Sequence, residues 1–388
     1  MRAQSLMRTF AISAAVCATA AGLAACGSND DDSDTGTSAA AATQASTGAA
    51  TTADSGGGEV GKVAVLLPDT QSSVRWETAD RPLLEAAFKA AGVPVEIQNA
   101  QGDKTQQQQQ AEQAITNGAK ILLLTNLDSG SGAAIEKQAA AKGVKTIDYD
   151  RLTLNGAADY YVSFDNVKVG ELQGQGLVDC LKAAGATKPV VAELNGSPDD
   201  NNATLFAQGY NSVLDPLYES GELVKGPNQS VPDWDNQQAL TIYEQMLQKT
   251  NNKIDGVLAA NDGLANSVIS AEKSRKLKPV PVTGQDATLQ GLQNILVGDQ
   301  CMTVYKAIQA EADAAAKLAI ALAKGEEPEA GLVNGESDDG SRKVPSVLLT
   351  PVAVTKDNIA DTVLADDFVK RDELCAGKFA DACEKAGI

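Results

Sequence analysis

Short apolar runs alternate with helical stretches along most of the chain. Lys62–Leu67 is apolar, Glu77–Ala91 carries apolar residues at helical spacing, and Val95–Ile97 again reads as a strand. A Gln-rich helix over Gln106–Asn117, the run Ile121–Leu124, a helix over Ala133–Lys142 and the run Val144–Ile147 continue the pattern. The Gln106–Gln110 tract, set among Thr105, Ala111, Ala114 and Ile115, reads as the polar face of its helix. The alternation restarts at Tyr160–Phe164. Helix Val167–Ala184 leads to strand Pro189–Leu194 and helix Ala203–Leu217; helix Gln237–Thr250 leads to strand Gly256–Ala259. Helix Gly263–Lys276 leads to Val280–Thr283, helix Leu289–Val297 leads to Met302–Tyr305, and an Ala-rich helix spans Ile308–Lys324. The runs Ser346–Leu349 and Val352–Thr355 precede a helical tail.

Strands alternating with helices of this length make βαβ units around parallel sheet. About a dozen strands are too many for one open doubly wound sheet, so the pattern predicts an α/β protein with two doubly wound parallel-sheet lobes. Ligands of such sheets sit off the carboxyl ends of the strands.

The first residues follow a different pattern. Residues 1–25 hold Arg2 and Arg8, no acid, and an apolar run from Phe10 to Ala25, which is short of the ~20 residues of a spanning helix. This is the pattern of a signal peptide. It ends in Leu23-Ala24-Ala25-Cys26, which resembles the lipobox of bacterial lipoproteins. That resemblance implies cleavage before Cys26 and lipid attachment to it. Residues 26–58, mostly Ser, Thr, Ala, Gly and Asp, lack hydrophobic periodicity and read as a disordered tether. A chain of that length spans about 30 Å r.m.s..

Composition narrows the chemistry. The 388 residues hold 32 Lys and Arg against 51 Asp and Glu, a formal net charge of −19, which argues against nucleic acid as a partner. No histidine is present, which excludes Ser-His-Asp hydrolases, Cys-His proteases and His-liganded metals. Cys17 leaves with the signal and Cys26 takes lipid, so Cys180, Cys301, Cys375 and Cys383 remain in an oxidising setting. The pairs expected are Cys180 with Cys301 and Cys375 with Cys383. A zinc site of all four lacks any CxxC spacing. No metal or cofactor is expected.

The strand exits are polar. They carry Ser73-Val74-Arg75-Trp76, Asp148-Tyr149-Asp150-Arg151, Ser163-Phe164-Asp165-Asn166, Asn195-Gly196-Ser197-Pro198-Asp199-Asp200-Asn201-Asn202, Ala260-Asn261-Asp262, Thr283-Gly284-Gln285-Asp286 and Tyr305-Lys306. No GxGxxG or GxxxxGK[ST] follows a strand, so phosphate cradles are missing. Carboxylates accept from hydroxyls while Arg, Lys and Asn donate to them, and an indole packs on the C–H face of a sugar ring. The two tryptophans, Trp76 and Trp234, both lie in exit loops. Each residue has a plainer role open to it. Asp165, Asp200 and Asn261 each precede a helix and can cap it; Arg75 and Arg151 can form surface ion pairs; Lys306 can merely open a helix. Recurrence of one chemistry at seven exits favours a polyhydroxylated neutral ligand.

These motifs, with Val169-Gly170-Glu171-Leu172-Gln173, Gly284-Gln285-Asp286-Ala287 and Met302-Thr303-Val304-Tyr305-Lys306, resemble the type I periplasmic solute-binding proteins of sugar ABC transporters, and among them the D-xylose-binding proteins. The resemblance runs through nearly all of residues 60–365. It implies that Trp76 and Trp234 sandwich a pyranose, that Arg75, Arg151, Asn202, Asn261 and Lys306 donate to its hydroxyls, and that Asp150, Asp200 and Asp286 accept from them. It also implies a three-stranded hinge crossing near Phe164–Val167, Tyr305–Ala307 and Pro345–Leu349. The N-terminal lobe is then 59–165 plus 306–345, and the C-terminal lobe 166–305 plus 346–388. The implied partners are a monosaccharide, most simply D-xylose, an ABC permease that reads the closed form, and the membrane through the lipid; a monomer is expected. Arabinose, ribose, glucose or galactose would suit the same fold, as would a sugar-sensing ectodomain. A carboxylate glycosidase would need two carboxyls roughly 5–9 Å apart across a scissile bond.

Overall fold

The computed structural model describes residues 60–388. The signal peptide, Cys26 and the tether lie outside these residues.

The elements in chain order are β1 (Lys62–Leu67), α1 (Arg81–Ala91), β2 (Val95–Asn99), α2 (Lys104–Thr116), β3 (Ala119–Leu124), α3 (Ser129–Ala141), β4 (Lys145–Tyr149), β5 (Tyr160–Phe164), α4 (Asn166–Ala183), β6 (Val190–Asn195) and α5 (Asn201–Ser220). Then come β7 (Val224–Ser230), α6 (Asn236–Lys249), β8 (Gly256–Ala259), α7 (Asp262–Ser274), α8 (Leu289–Val297), β9 (Thr303–Tyr305), α9 (Ile308–Ala323), β10 (Gly335–Asp338), β11 (Lys343–Leu349) and β12 (Val352–Val354).

Two sheets form. The larger has the order β10-β11-β5-β4-β3-β1-β2, parallel throughout except for the β10–β11 hairpin. Its central strands are apolar on both faces because helices cover both, as in β1, where Val63–Leu67 are all buried. Its core joins Leu84 and Phe88 of α1 to Ala312, Ala315 and Leu318 of α9. The smaller parallel sheet, β7-β6-β8, has its own core around Leu177, Phe206, Tyr210 and Val257. The chain beyond Val354 packs Ile359, Val363 and Leu374 on α8. Cys180 of α4 is bonded to Cys301, and Cys375 to Cys383, with Cα–Cα separations of 6.4 and 5.8 Å. Both bridges lie on the smaller-sheet side.

The structure departs from the sequence pattern at several places. Val280–Thr283 is no strand: Val282 makes a single bridge to Val257, because Pro279 and Pro281 remove two ladder donors. The edge strands β7 and β10 are polar and carry little period-2 signal. In α2, Gln107 and Gln110 are buried rather than solvated, donating to Thr125 O at 2.8 Å and Asn99 O at 3.0 Å. The third crossing also moves. Ser346–Leu349 pair in parallel with Tyr161–Phe164 in the larger sheet, and Val344 and Val347 are buried there. The crossing therefore follows Leu349, at Thr350–Pro351, and 346–349 belong to the first lobe and not the second.

Candidate functional site

The strand exits of the two sheets face one another, and the ten side chains expected at the site, Arg75, Trp76, Asp150, Arg151, Asp200, Asn202, Trp234, Asn261, Asp286 and Lys306, all line one cavity. Ser72, Ser73, Phe206 and Gln285 complete the lining.

From the first lobe, a five-residue π-turn, Trp76–Asp80, precedes α1 and brings Arg75 and Asp80 onto one side. Arg75 donates through Nε and Nη2 to Asp80 at 2.9 and 2.7 Å, through Nη2 to Glu311 at 2.5 Å, and through Nη1 to Asp150 at 2.9 Å. Four of its five N–H groups are thereby bonded, and the fifth makes no hydrogen bond among the described residues. Tyr149 donates to Asp80 at 2.5 Å from below. Burial works against the Arg75 charge, but Asp80, Glu311 and Asp150 outweigh it and hold its pKa above the ordinary value. Burial also opposes the Asp150 charge, yet Lys306, Arg75 and Arg151 bring its carboxyl down to about 2. Glu311 is different. Burial, only partly offset by Arg75, pushes it up to about 8.

Asp150 is in a left-handed conformation (φ 65°), which turns its carboxylate back toward Arg75 and toward Lys306, 3.3 Å away. Arg151 donates to Asn126 O and to Ser72 Oγ, and its Nε lies 3.1 Å from Asp200. The guanidinium groups of Arg75 and Arg151 stand over the Trp76 ring at 4.5 and 5.6 Å.

The second lobe contributes helix N-termini. Asp165, Asp200 and Asn261 do cap α4, α5 and α7. The plain role and the site role are not exclusive: Asp200 caps with Oδ1 and accepts from Trp234 Nε1 at 3.1 Å with Oδ2. Asn261 caps with Oδ1, and its Nδ2 makes no hydrogen bond among the described residues. Trp234 is seated on Gly196, where any Cβ would fall inside the indole. Its edge meets Phe206 at 6.5 Å. Asp286 accepts no hydrogen bond among the described residues; Lys306 is 4.0 Å away, and burial pushes its carboxyl above the usual range. The two sides also touch directly. Asn202 donates to Asp150 O and Oδ1, both at 3.0 Å, and accepts from Asn166 at 2.9 Å. At the mouth, Lys104 reaches Asp199 of the opposite side at 3.2 Å. The lobes are closed on each other.

The sequence reading missed three groups. Gln285 adjoins Asp286 in an exit motif, but a neutral amide carries no charge signal. Asp80 and Glu311 sit in helices and meet Arg75 only in the fold; Glu311 is 236 residues away.

Residues 63–327 match the family described as periplasmic binding protein domain. The chain belongs to this family. As a periplasmic binding protein it is 38% identical over 314 residues to the D-xylose-binding periplasmic protein of Escherichia coli (strain K12), covering 81% of this chain and 92% of that protein. It is 35% identical over 331 residues to the multiple sugar-binding periplasmic receptor ChvE of Rhizobium radiobacter, covering 81% and 92%. An ABC transporter solute-binding protein from Clostridium phytofermentans, solved with bound β-D-glucose, superposes with a TM-score of 0.74 at 31% identity, covering 81% of this chain and 99% of that one. The architecture is the type I periplasmic binding protein fold, and the relatives named are sugar-binding proteins rather than enzymes.

Proposed function

We propose that this chain is an extracytoplasmic monosaccharide-binding protein that delivers D-xylose to an ABC importer by closing its two lobes around the sugar, with no chemistry on the ligand. The observation that carries the reading is the convergence of all ten predicted side chains on one cavity whose donors and acceptors come from both sides. Such a ligand bridges the lobes and draws the open–closed balance toward the closed form through its higher affinity for that form. Trp76 and Trp234 take the ring faces. Lys306, Asn261 and the remaining Arg75 N–H donate, and Asp286 accepts. Asp200 and Asn202 hold Trp234, Arg151 and Asp150 in place as well as lining the cavity. The 38% identity to a D-xylose-binding protein favours that sugar.

A second reading keeps the fold and changes the sugar. The β-D-glucose in the Clostridium relative and the multiple-sugar receptor of Rhizobium favour it. Titration calorimetry of residues 59–388 against xylose, arabinose, ribose, glucose and galactose decides between the two. Micromolar or tighter binding of xylose alone supports the first reading; tight binding of another sugar replaces the ligand; binding of none overturns both.

The protein is further proposed to be a monomer anchored by lipid at Cys26 on the outer face of the cell membrane, with residues 26–58 as its tether. Cys26→Ser should release it from membranes. Continued membrane association of that variant would remove the anchor.

A further inference from the structure

Gln285 is 3% exposed and lines the cavity, yet its Oε1 has no hydrogen-bond partner and no protein hydrogen bond involves its Nε2 among the described residues. The other buried glutamines behave differently. Gln107 and Gln110 donate to strand-end carbonyls, Gln173 donates to Ala260 O at 3.0 Å, Gln293 to Glu373 O at 3.3 Å, and Gln300 to Asp262 at 2.8 Å. In each of those five, Nε2 donates within the protein, although the Oε1 of Gln107, Gln110, Gln173 and Gln300 has no partner either. A buried acceptor without a partner is costly, and native structures satisfy such groups. Gln285 differs from the other five in having no protein partner for Nε2 among the described residues and in lining the cavity, which leaves its amide to whatever fills that cavity.

The backbone that carries it is held in place. Asp286 and Ala287 have φ of 100° and 51°, a conformation that side chains beyond glycine rarely adopt. Surrounding bonds impose it. Asp286 N donates to Val304 O at 2.9 Å, and Asp262 N donates to Gln285 O at 3.0 Å. The buried Asp262 carboxylate accepts from Thr288 N at 2.8 Å, Gln300 at 2.8 Å and Thr303 at 2.8 Å, and lies where any Cβ on Gly284 would fall. A segment so constrained presents its side chains without further ordering. Beside Gln285 stand the unbonded Asp286 carboxylate and the free Nδ2 of Asn261.

We propose that Gln285 is a ligand contact of this site and one of its specificity-determining residues: its amide donates to one hydroxyl of the bound monosaccharide and accepts from a hydroxyl. The inference rests on the sugar-binding reading above. A sugar lacking the partner hydroxyl would leave the amide buried and unpaired, so the residue discriminates by rejection as much as by attraction.

The test is calorimetry of wild type and Gln285→Leu, using whichever of the five monosaccharides binds wild type best and each monodeoxy analogue of it. Thermal unfolding without ligand is measured in parallel. The variant is expected to lose about 10-fold or more in affinity for the parent sugar. Its ligand-free unfolding temperature should be unchanged or raised, since an unpaired buried amide is gone. At least one monodeoxy analogue that wild type penalises should no longer be penalised by the variant. Equal affinities for wild type and variant overturn the proposal, as does an unchanged penalty for every analogue. If wild type binds none of the five sugars, the underlying sugar reading fails and takes the proposal with it.

Discussion

The two faces of the cavity are built differently. On the first-lobe face the ionic groups bond one another: Arg75 to Asp80, Glu311 and Asp150, with Lys306 at the hinge closing on Asp150. On the second-lobe face several groups are left open, namely Gln285, Asp286 and the Nδ2 of Asn261. A buried charge needs partners before any ligand arrives. An unpaired neutral amide, or a carboxyl whose pKa burial has raised, costs less than an unpaired charge, so these groups can be left for a ligand to satisfy. One face is thus organised in advance, and the other is completed by what binds.

The strongest way to break this comparison is Arg75→Met. It strands Asp80, Glu311 and Asp150 around a vacated cation site, and should cost about 3–5 kcal/mol of stability in urea unfolding. An unchanged midpoint would mean the first-lobe cluster is not organised as described.

A pH series separates the lobes. Burial raises Glu311 to about 8 in the first lobe, and Asp262 and Glu272 to about 7 in the second. Each then holds its proton more tightly folded than unfolded. Stability from these groups is complete below about pH 4 and is lost as pH rises through their folded values. Thermal unfolding of the ligand-free protein should therefore weaken from about pH 5 to 8. Glu311→Gln should remove its share of the slope throughout that range and leave the part between about pH 7 and 8 nearly flat. Asp150, held at about 2, works the other way: its contribution is present above the ordinary value near 3.8 and is lost as pH falls toward 2. A midpoint that rises from pH 5 to 8 would contradict the raised values of Glu311, Asp262 and Glu272.

Asp286→Ala should do the reverse of Arg75→Met. Affinity for the sugar should fall by about 1–3 kcal/mol, while ligand-free stability holds, because no protein hydrogen bond is lost. A stability loss comparable to that of Arg75→Met would erase the distinction between the faces. The smallest effect belongs to the mouth. Lys104 and Asp199 are half exposed, so Lys104→Ala should weaken binding by about 0.2–1 kcal/mol at low salt and by nothing measurable at 1 M salt. A salt-independent loss would give Lys104 a different role.

Much of the fold was legible because burial on both faces writes continuous apolar runs, as in Val63–Leu67 and Ile121–Leu124. Edge strands write no such signal. Val224–Ser230 contains Lys225, Gly226, Pro227, Asn228 and Gln229, and only its pairing with β6 makes it a strand. Conversely Val280–Thr283 looks apolar enough but lacks donors at its prolines. The candidate site was legible as positions, because polar residues cluster where strands end. It was not legible as bonds.

The order of apolar and polar residues, by itself, determined the two α/β lobes and the exit loops, since periodicity is local and the strand ends follow from it. Only the tertiary structure decided which polar groups are engaged. Arg75 is nearly saturated because a helix 236 residues downstream delivers Glu311 to it. Asp200 divides its two oxygens between a helix cap and the Trp234–Arg151 pair, and among the described residues the Gln285 side chain is the one buried glutamine that makes no hydrogen bond through either end. Hydrogen bonds are made within about 3 Å in space whatever the separation along the chain, and burial removes the water that would otherwise satisfy each group.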